Sequence, residues 1–270
     1  MKSSCRYAIR SVIALTVTCL MAIPLSAQET APVPGTDATL AESAPAVSPE
    51  AQGVLDRMTT YMQGLQNFSI ESRSTRDEVL PYGYKLQNNE KASLVVQRPN
   101  KLRSEVSGDL RTRTFLYDGT KLVIYSPDDK AYARIDAPDT IAKLISGILD
   151  AGIELPLIDV LYQSAAGTLT DQVRNGILVG DSVVEGVECD HLAFRQAGTD
   201  WQLWVAKGAQ PLPRKIVITT RYEVGSPQFE AIMNWNLKPK IGASTFAFAA
   251  PKGAVEIPFD QPAAIAGDAQ

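Results

Sequence analysis

Residues 187–222 read VECDHLAFRQAGTDWQLWVAKGAQPLPRKIVITTRY, and this stretch decides the fold. Runs of apolar, β-branched and aromatic residues predict three consecutive strands, which are separated by short segments that contain turn residues such as Gly and Pro. We place these strands at 187–196, 200–206 and 214–222.

Apolar residues in this stretch fall on both faces of the predicted sheet. Trp201 and Leu203 share one face of the second strand, whereas Trp204 lies on the other, because side chains alternate along a strand. A sheet with one face in water alternates between apolar and polar residues instead. A helix, a partner or a bound apolar molecule must therefore cover the second face as well.

The other strands are predicted outward from this stretch in both directions. Residues 68–136 carry a meander of strands joined by tight turns, including the hairpin signal Asp118-Gly119. Further strands are predicted at 176–184 and 228–237, and a last short strand at 245–251. Consecutive hairpins of this length favour one broad sheet that twists and curls.

Helices are predicted before the strands and within them. Ser48, Pro49 and Glu50 mark a helix start, and apolar residues then follow at helical spacing. A pair of apolar helices, at 139–149 and 155–164, interrupts the strands midway. The predicted fold class is therefore α+β and mainly β. It is a strongly curved antiparallel sheet (an incomplete β-barrel) covered by the N-terminal helix and the inserted helix pair.

The N-terminus predicts export to the periplasm. Basic residues precede a short apolar core at 12–23, and Pro24-Leu-Ser-Ala27 suits signal peptidase. The alternative is retention by an anchor or as a lipoprotein. A lipoprotein would need acylation of Cys19, and Thr18 before it is bulkier than the residue that this site normally requires.

The predicted organisation follows from these boundaries and from composition. It comprises a cleavable signal peptide at 1–27, a disordered Ala/Pro-rich linker at 28–48, a single domain at 49–260 and a disordered tail at 261–270. Without residues 1–27, 23 basic and 30 acidic residues remain, a formal net charge of −7. Such a protein has no electrostatic reason to bind nucleic acid or an anionic membrane.

The sequence offers little for catalysis or for metal binding. His191 is the only histidine, and Cys189 is the only cysteine after residue 27. At positions i and i+2 of one strand they are more typical of core neighbours than of a catalytic dyad. Phosphate-binding glycine motifs and the nucleophile elbow do not occur. We therefore expect no catalytic residue, no metal and no cofactor.

An apolar cavity between the sheet and the helices is the predicted ligand site. The alternative is ordinary core packing, which explains most of the aromatic residues. The residues that we expect to line the cavity are Phe115, Tyr117, Leu144, Ile145, Ile148, Leu161 and Trp204.

Three segments resemble a known family. CDHLAFR (189–195), DWQLW (200–204) and PLPRKIVIT (211–219) are similar to the hallmark of DUF2092, a family of predicted periplasmic proteins, over roughly residues 50–260. The order of elements also resembles the LolA/LolB-type lipoprotein carriers. That resemblance implies a sheet closed by helices over a hydrophobic cavity for acyl chains.

Three hypotheses about function follow. The first is a periplasmic binding or carrier protein for a lipid or a lipoprotein acyl chain. The second is a non-enzymatic domain, similar to RseB, that interacts with a periplasmic or membrane protein or senses envelope stress. The third is a hydrolase that acts on lipid or cell-wall material and depends on His191.

Overall fold

The structure is a computed structural model that describes residues 46–150 and 169–258, except for the side chains of residues 149 and 150. In chain order, the described helices and strands are α1 (Pro49–Gly64), β1 (Asn67–Val79), β2 (Lys85–Gln97), β3 (Lys101–Gly108), β4 (Thr112–Tyr117), β5 (Lys121–Ser126), β6 (Ala131–Asp136), α2 (Ile141–Asp150), β7 (Asn175–Val184), β8 (Val187–Arg195), β9 (Thr199–Ala206), β10 (Pro213–Thr220), β11 (Gln228–Asn236) and β12 (Val255–Glu256).

These strands form one curved, open sheet with the order β12-β6-β5-β4-β3-β2-β1-β11-β10-β9-β8-β7. Strands β1 to β6 form one antiparallel meander and β7 to β11 form another. Antiparallel pairing of β1 with β11 joins the two meanders, and β12 adds to β6 in parallel. The predicted fold class, mainly β with a curved antiparallel sheet, is confirmed. The sheet stays open, with β12 and β7 as its edges.

The strands predicted from the opening stretch are β8, β9 and β10, and their ends lie within two residues of the predicted ones. The Asp118-Gly119 signal also marks a turn, between β4 and β5. The Oδ1 atom of Asp118 accepts hydrogen bonds from the backbone N–H groups of Thr120 (2.9 Å) and Lys121 (2.8 Å). Gly119 has a φ of 100°, a conformation that L side chains rarely adopt.

Helix α1 begins where the sequence predicts. The Ser48 hydroxyl accepts a hydrogen bond from the Ala51 N–H at 3.3 Å, and Pro49 occupies the first turn. At the other end, the Arg98 guanidinium donates to the carbonyls of Met62 and Gln63, each at 3.0 Å. The helix is therefore capped at its start by its own sequence and at its end by the β2–β3 turn.

We call the face of the sheet against which α1 and α2 pack the inner face. Its buried apolar residues form one continuous cluster with those of the two helices. The strand residues of this cluster come from β1 to β6 and from β8 to β11: Phe68, Ile70, Leu94, Val96, Leu102, Tyr117, Leu122, Ile135, Leu192, Phe194, Trp201, Leu203, Val205, Ile216, Ala231 and Met233. Ordinary core packing accounts for most of these side chains.

The chain after β11 covers part of the opposite, outer face. The Phe248 ring lies 4.9 Å from the ring of Tyr132 and 5.9 Å from that of Tyr125, measured between centroids. Tyr125 and Tyr132 are cross-strand neighbours on the outer side of β5 and β6. The strand predicted at 245–251 is wrong, since this segment starts in a turn and then runs irregularly across the outer face.

The first helix of the predicted inserted pair is confirmed as α2, whereas the second, at 155–164, lies outside the described residues. Within 46–150 and 169–258, no helix has the length and apolar character needed to cross a membrane.

Candidate functional site

The candidate site lies between the inner face and α2. Tyr117 at the end of β4 is fully buried there, and its hydroxyl donates a hydrogen bond to the carbonyl of Pro138. Burial, together with the nearby carboxylates of Asp139 and Asp118, raises the pKa of Tyr117 to about 12. The phenol is therefore protonated at neutral pH and fixes the segment that leads into α2.

Helix α2 has few polar attachments to the sheet. The Ile141 N–H donates to the Pro99 carbonyl at 2.9 Å, which links the first turn of α2 to the β2–β3 turn. Thr140 caps the helix by accepting from the Lys143 N–H at 3.3 Å, and the Lys143 ammonium pairs with Asp139 at 2.8 Å. The remaining described contacts of α2 with the inner-face cluster are apolar: Leu144 is buried in the cluster, and Ile141 and Ile148 pack against it half-buried.

The structure brings most of the predicted lining residues together. Tyr117 and Leu144 belong to the buried cluster of the inner face. Phe115 and Ile148 are half-buried and pack against that cluster, and Ile145 is buried as well. Leu161 lies outside the described residues.

Trp204 does not join them, because it lies on the outer face of β9. Its indole stacks on the His191 ring, with centroids 4.1 Å apart and planes inclined by 9°, and the Lys215 ammonium lies 5.2 Å from the indole ring. The indole N–H donates to the Ser182 hydroxyl at 3.1 Å. His191 Nε2 is 3.0 Å from Oε1 of Gln202. Trp204 and His191 thus stack on each other within a layer of polar and aromatic side chains on the outer face.

Trp201 is the tryptophan of β9 that faces inward. Its ring stacks on Phe194 with centroids 3.9 Å apart, and both belong to the buried cluster. The prediction that the two tryptophans lie on opposite faces is confirmed, and the inner-face member of the pair is Trp201 rather than Trp204.

Cys189 is fully buried, and its Sγ lies 3.4 Å from the Val187 carbonyl oxygen. Burial raises the pKa of the Cys189 thiol, which disfavours the thiolate form that nucleophilic chemistry needs. In the described part of the chain, no group of three or more His, Cys, Asp or Glu side chains is placed to hold a metal ion.

A polar cleft of about 310 Å³ beside α1 was not predicted from the sequence. Asp190 lines this cleft and pairs with Arg57 at 3.5 Å and with Lys207 at 3.3 Å. Lys207 also pairs with Asp181. Each charge here has a partner of opposite sign, so the cleft fastens α1 to β7, β8 and the β9–β10 loop. Arg57 and Asp190 are far apart in sequence, and no local pattern indicates that they meet.

Comparison with known proteins gives one family match and several distant structural likenesses. A family model described as "Predicted periplasmic protein (DUF2092)" matches residues 51–260. No curated protein matches the sequence.

The solved structures similar to this chain include two mycobacterial proteins. LprF from Mycobacterium bovis is 14% identical with a TM-score of 0.44, over 78% of this chain and 100% of that one. Lipoprotein LppX from Mycobacterium tuberculosis is 14% identical with a TM-score of 0.46, over 72% and 100%. The MucA/MucB complex of Pseudomonas aeruginosa gives 14% identity and a TM-score of 0.39, over 71% of this chain and 59% of the matched chain. TM-scores below 0.5 establish neither a shared ligand nor a shared activity.

Proposed function

The chain belongs to the DUF2092 family of predicted periplasmic proteins, and we propose that it is a binding or carrier protein of that compartment without enzymatic activity. Its ligand is a lipid or the acyl chain of a lipoprotein. The ligand lies between the inner face of the sheet and α2.

The apolar inner face is the observation that carries this proposal. Buried apolar side chains run without interruption across β1 to β6 and β8 to β11. Ten neighbouring strands contribute to this face, and nine gaps of about 4.8 Å make it about 43 Å wide. Its side chains pack against one another and against α1 and α2, so an elongated apolar molecule would reach them by parting α2 from the sheet.

The half-buried residues mark where such a molecule can enter. Phe115 and Ile124 are cross-strand neighbours on β4 and β5, and both are half-buried beside the cluster. Ile141 and Ile148 on α2 are half-buried in the same way. An acyl chain that inserts here exchanges apolar contacts for apolar contacts and leaves no polar group without a partner.

Helix α2 is suited to move away from the sheet and admit a ligand. It has 10 residues, and a helix of this length is marginal without tertiary packing. Its described polar attachments lie at its start: Tyr117 bonds to Pro138, just before the helix, and the Pro99 carbonyl accepts from the N–H of Ile141 in the first turn. The remainder can move away from the sheet without breaking these hydrogen bonds.

Native mass spectrometry of the protein purified under mild conditions tests the proposal. We expect an adduct of lipid mass that organic solvent extracts, and we expect the extracted protein to bind a fluorescent fatty acid. A protein that carries no lipid and binds no fluorescent fatty acid contradicts the proposal.

A protein-interaction domain is the second candidate, and the edge strand β7 favours it, since its outer edge pairs within the described residues only at Gly176, with Val47. Ile177, Val179 and Val183 on this edge strand are 46%, 52% and 64% exposed. An exposed edge strand with apolar side chains can pair with a strand of another protein. Recovery of a stoichiometric membrane-protein partner by a chain that contains no lipid would favour this candidate over the carrier.

A further inference from the structure

The most exposed apolar side chains of the described residues gather at one end of the sheet. Five large apolar residues are at least 70% exposed, and all of them lie in the turns β1–β2, β3–β4 and β10–β11. They are Tyr82 (89%), Val224 (85%), Tyr222 (73%), Tyr84 (70%) and Leu110 (70%). Every other large apolar side chain in the described ranges is 64% exposed or less. We call these five residues the rim.

The strand register places these turns at the same end. Residues Arg76, Phe229, Ile218, Trp201, Phe194 and Gly176 form one cross-strand row through β1, β11, β10, β9, β8 and β7. The β1–β2 turn begins a few residues beyond Arg76, and the β10–β11 turn a few residues beyond Ile218. Gly108 of β3 pairs with Glu90, which in turn pairs with Ser74, so Leu110 lies near the level of Arg76 and faces the same end.

Neighbouring turns of this end are in contact. A Cβ atom added to Gly198 would lie 2.7 Å from Cδ1 of Tyr222, so the Tyr222 ring rests on the β8–β9 turn. A Cβ atom added to Gly225 would lie 3.4 Å from Cγ2 of Val79, so the β10–β11 turn rests on β1. The β10–β11 turn that carries Tyr222 and Val224 is therefore supported by its neighbours, and the β1–β2 turn extends from the same end of the sheet.

We propose that the rim docks on the surface of a phospholipid bilayer. A tyrosine ring has an apolar body and a polar hydroxyl, which suits the boundary between head groups and acyl chains. Because the rim consists of protruding turns, it fits a soft, flat surface better than it fits a protein groove. The inference goes beyond the ligand proposed for the inner face and holds whether or not that ligand binds.

The charges around the rim indicate which kind of bilayer it binds. Lys85 pairs with Asp77 at 3.2 Å, and Asp200 pairs with both Arg221 at 3.0 Å and Arg195 at 2.8 Å. In the turns themselves, Arg111 shares one turn with Asp109 and Arg221 shares another with Glu223, so the described rim turns carry no excess of basic charge that would attract anionic lipid or an acidic protein. Docking is therefore apolar, and a zwitterionic bilayer is sufficient.

The entry point of the chain agrees with this orientation. Ala46 and Ser48 flank Gly176 at the same end: the Gly176 N–H donates to the Ala46 carbonyl at 2.8 Å, and the Ser48 N–H donates to the Gly176 carbonyl at 2.9 Å. The described residues therefore begin at the end of the sheet that carries the rim.

Vesicle flotation tests the proposal, with phosphatidylcholine vesicles as the probe. The full chain is compared with the double variant Tyr82→Ser/Tyr222→Ser and with the matched control Val179→Ser/Val183→Ser, which removes exposed apolar residues from the β7 edge. We expect the wild type to float with vesicles in low and high salt. Loss of two interfacial aromatic residues should weaken partitioning about tenfold or more, and the control about twofold or less.

Several outcomes overturn the proposal. It fails if the wild type does not float, if the rim variant floats as well as the wild type, or if the control loses as much. Release by high salt would indicate electrostatic attachment instead. A rim variant that loses a protein partner while the wild type ignores vesicles would assign the rim to protein recognition. Fatty-acid binding without vesicles, measured on the same variants, reports separately on the inner face.

Discussion

Replacing Ile148 by aspartate places a carboxylate on the side of α2 that packs toward the inner face. Complete burial of an isoleucine side chain contributes about 1.5–3 kcal/mol. Ile148 is half-buried, so the variant forfeits about 1–1.5 kcal/mol of apolar contact. If an acyl chain lies against this residue, the same loss weakens its binding about fivefold to tenfold.

The assay is titration of the delipidated protein with a fluorescent fatty acid, alongside urea unfolding. The matched control is Ala142→Asp, which adds the same charge to an exposed position of the same helix. We expect Ile148→Asp to bind fivefold to tenfold more weakly than Ala142→Asp. A domain of ordinary stability, about 5–15 kcal/mol, remains folded after the loss of 1–1.5 kcal/mol. Equal binding by the two variants, or weaker binding only where Ile148→Asp is unfolded, would refute the reasoning and indicate a plain core.

Three further predictions concern the framework. Tyr117→Phe should abolish the last step of the alkaline phenolate titration. The pKa of Tyr117 is about 12 in the folded protein and about 10 in the unfolded chain. Its contribution to the free energy of unfolding is therefore complete below about pH 10 and is lost toward about pH 12. An unchanged absorbance titration would contradict this. Ser48→Ala should lower the free energy of unfolding by about 1 kcal/mol through loss of the α1 cap, and an unchanged urea midpoint would oppose it. Arg98→Gln should lower the free energy of unfolding by about 1.5–3 kcal/mol, because the charged donors to the last carbonyls of α1 are lost. A loss no larger than that of Lys143→Gln, at an exposed position, would argue against this cap.

The strands and their order along the chain could be predicted because their signals are local. Apolar runs gave β8, β9 and β10 nearly to the residue, and Ser48-Pro49 gave the start of α1. Alternation also required Trp201 and Trp204 to face opposite ways. Alternation alone does not show which tryptophan faces inward, because apolar residues lie on both faces of β9. The choice depends on the strands that pair with β9.

The strand wrongly predicted at 245–251 and the unpredicted cleft beside α1 have related causes, because both depend on contacts between distant parts of the chain. The segment containing Phe246 and Phe248 alternates as a strand does, yet it lies across the outer face, where Phe248 packs against the aromatic rings of Tyr125 and Tyr132. The ion pair of Arg57 with Asp190 joins residues 133 positions apart, so only the folded chain reveals it.

The junction of β1 with β11 has a consequence for how the protein reaches its native state. Ser69 pairs with Asn236 and Arg76 with Phe229, so this ladder joins residues roughly 160 positions apart. Local hairpins of both meanders can form early, but the junction must wait until nearly the whole polypeptide has been released into the compartment where it folds. Until then β1 and β11 are both unpaired sheet edges, open to pairing with other chains. The middle of the finished sheet is therefore the part that closes last and stays exposed to pairing with other chains until β1 and β11 meet.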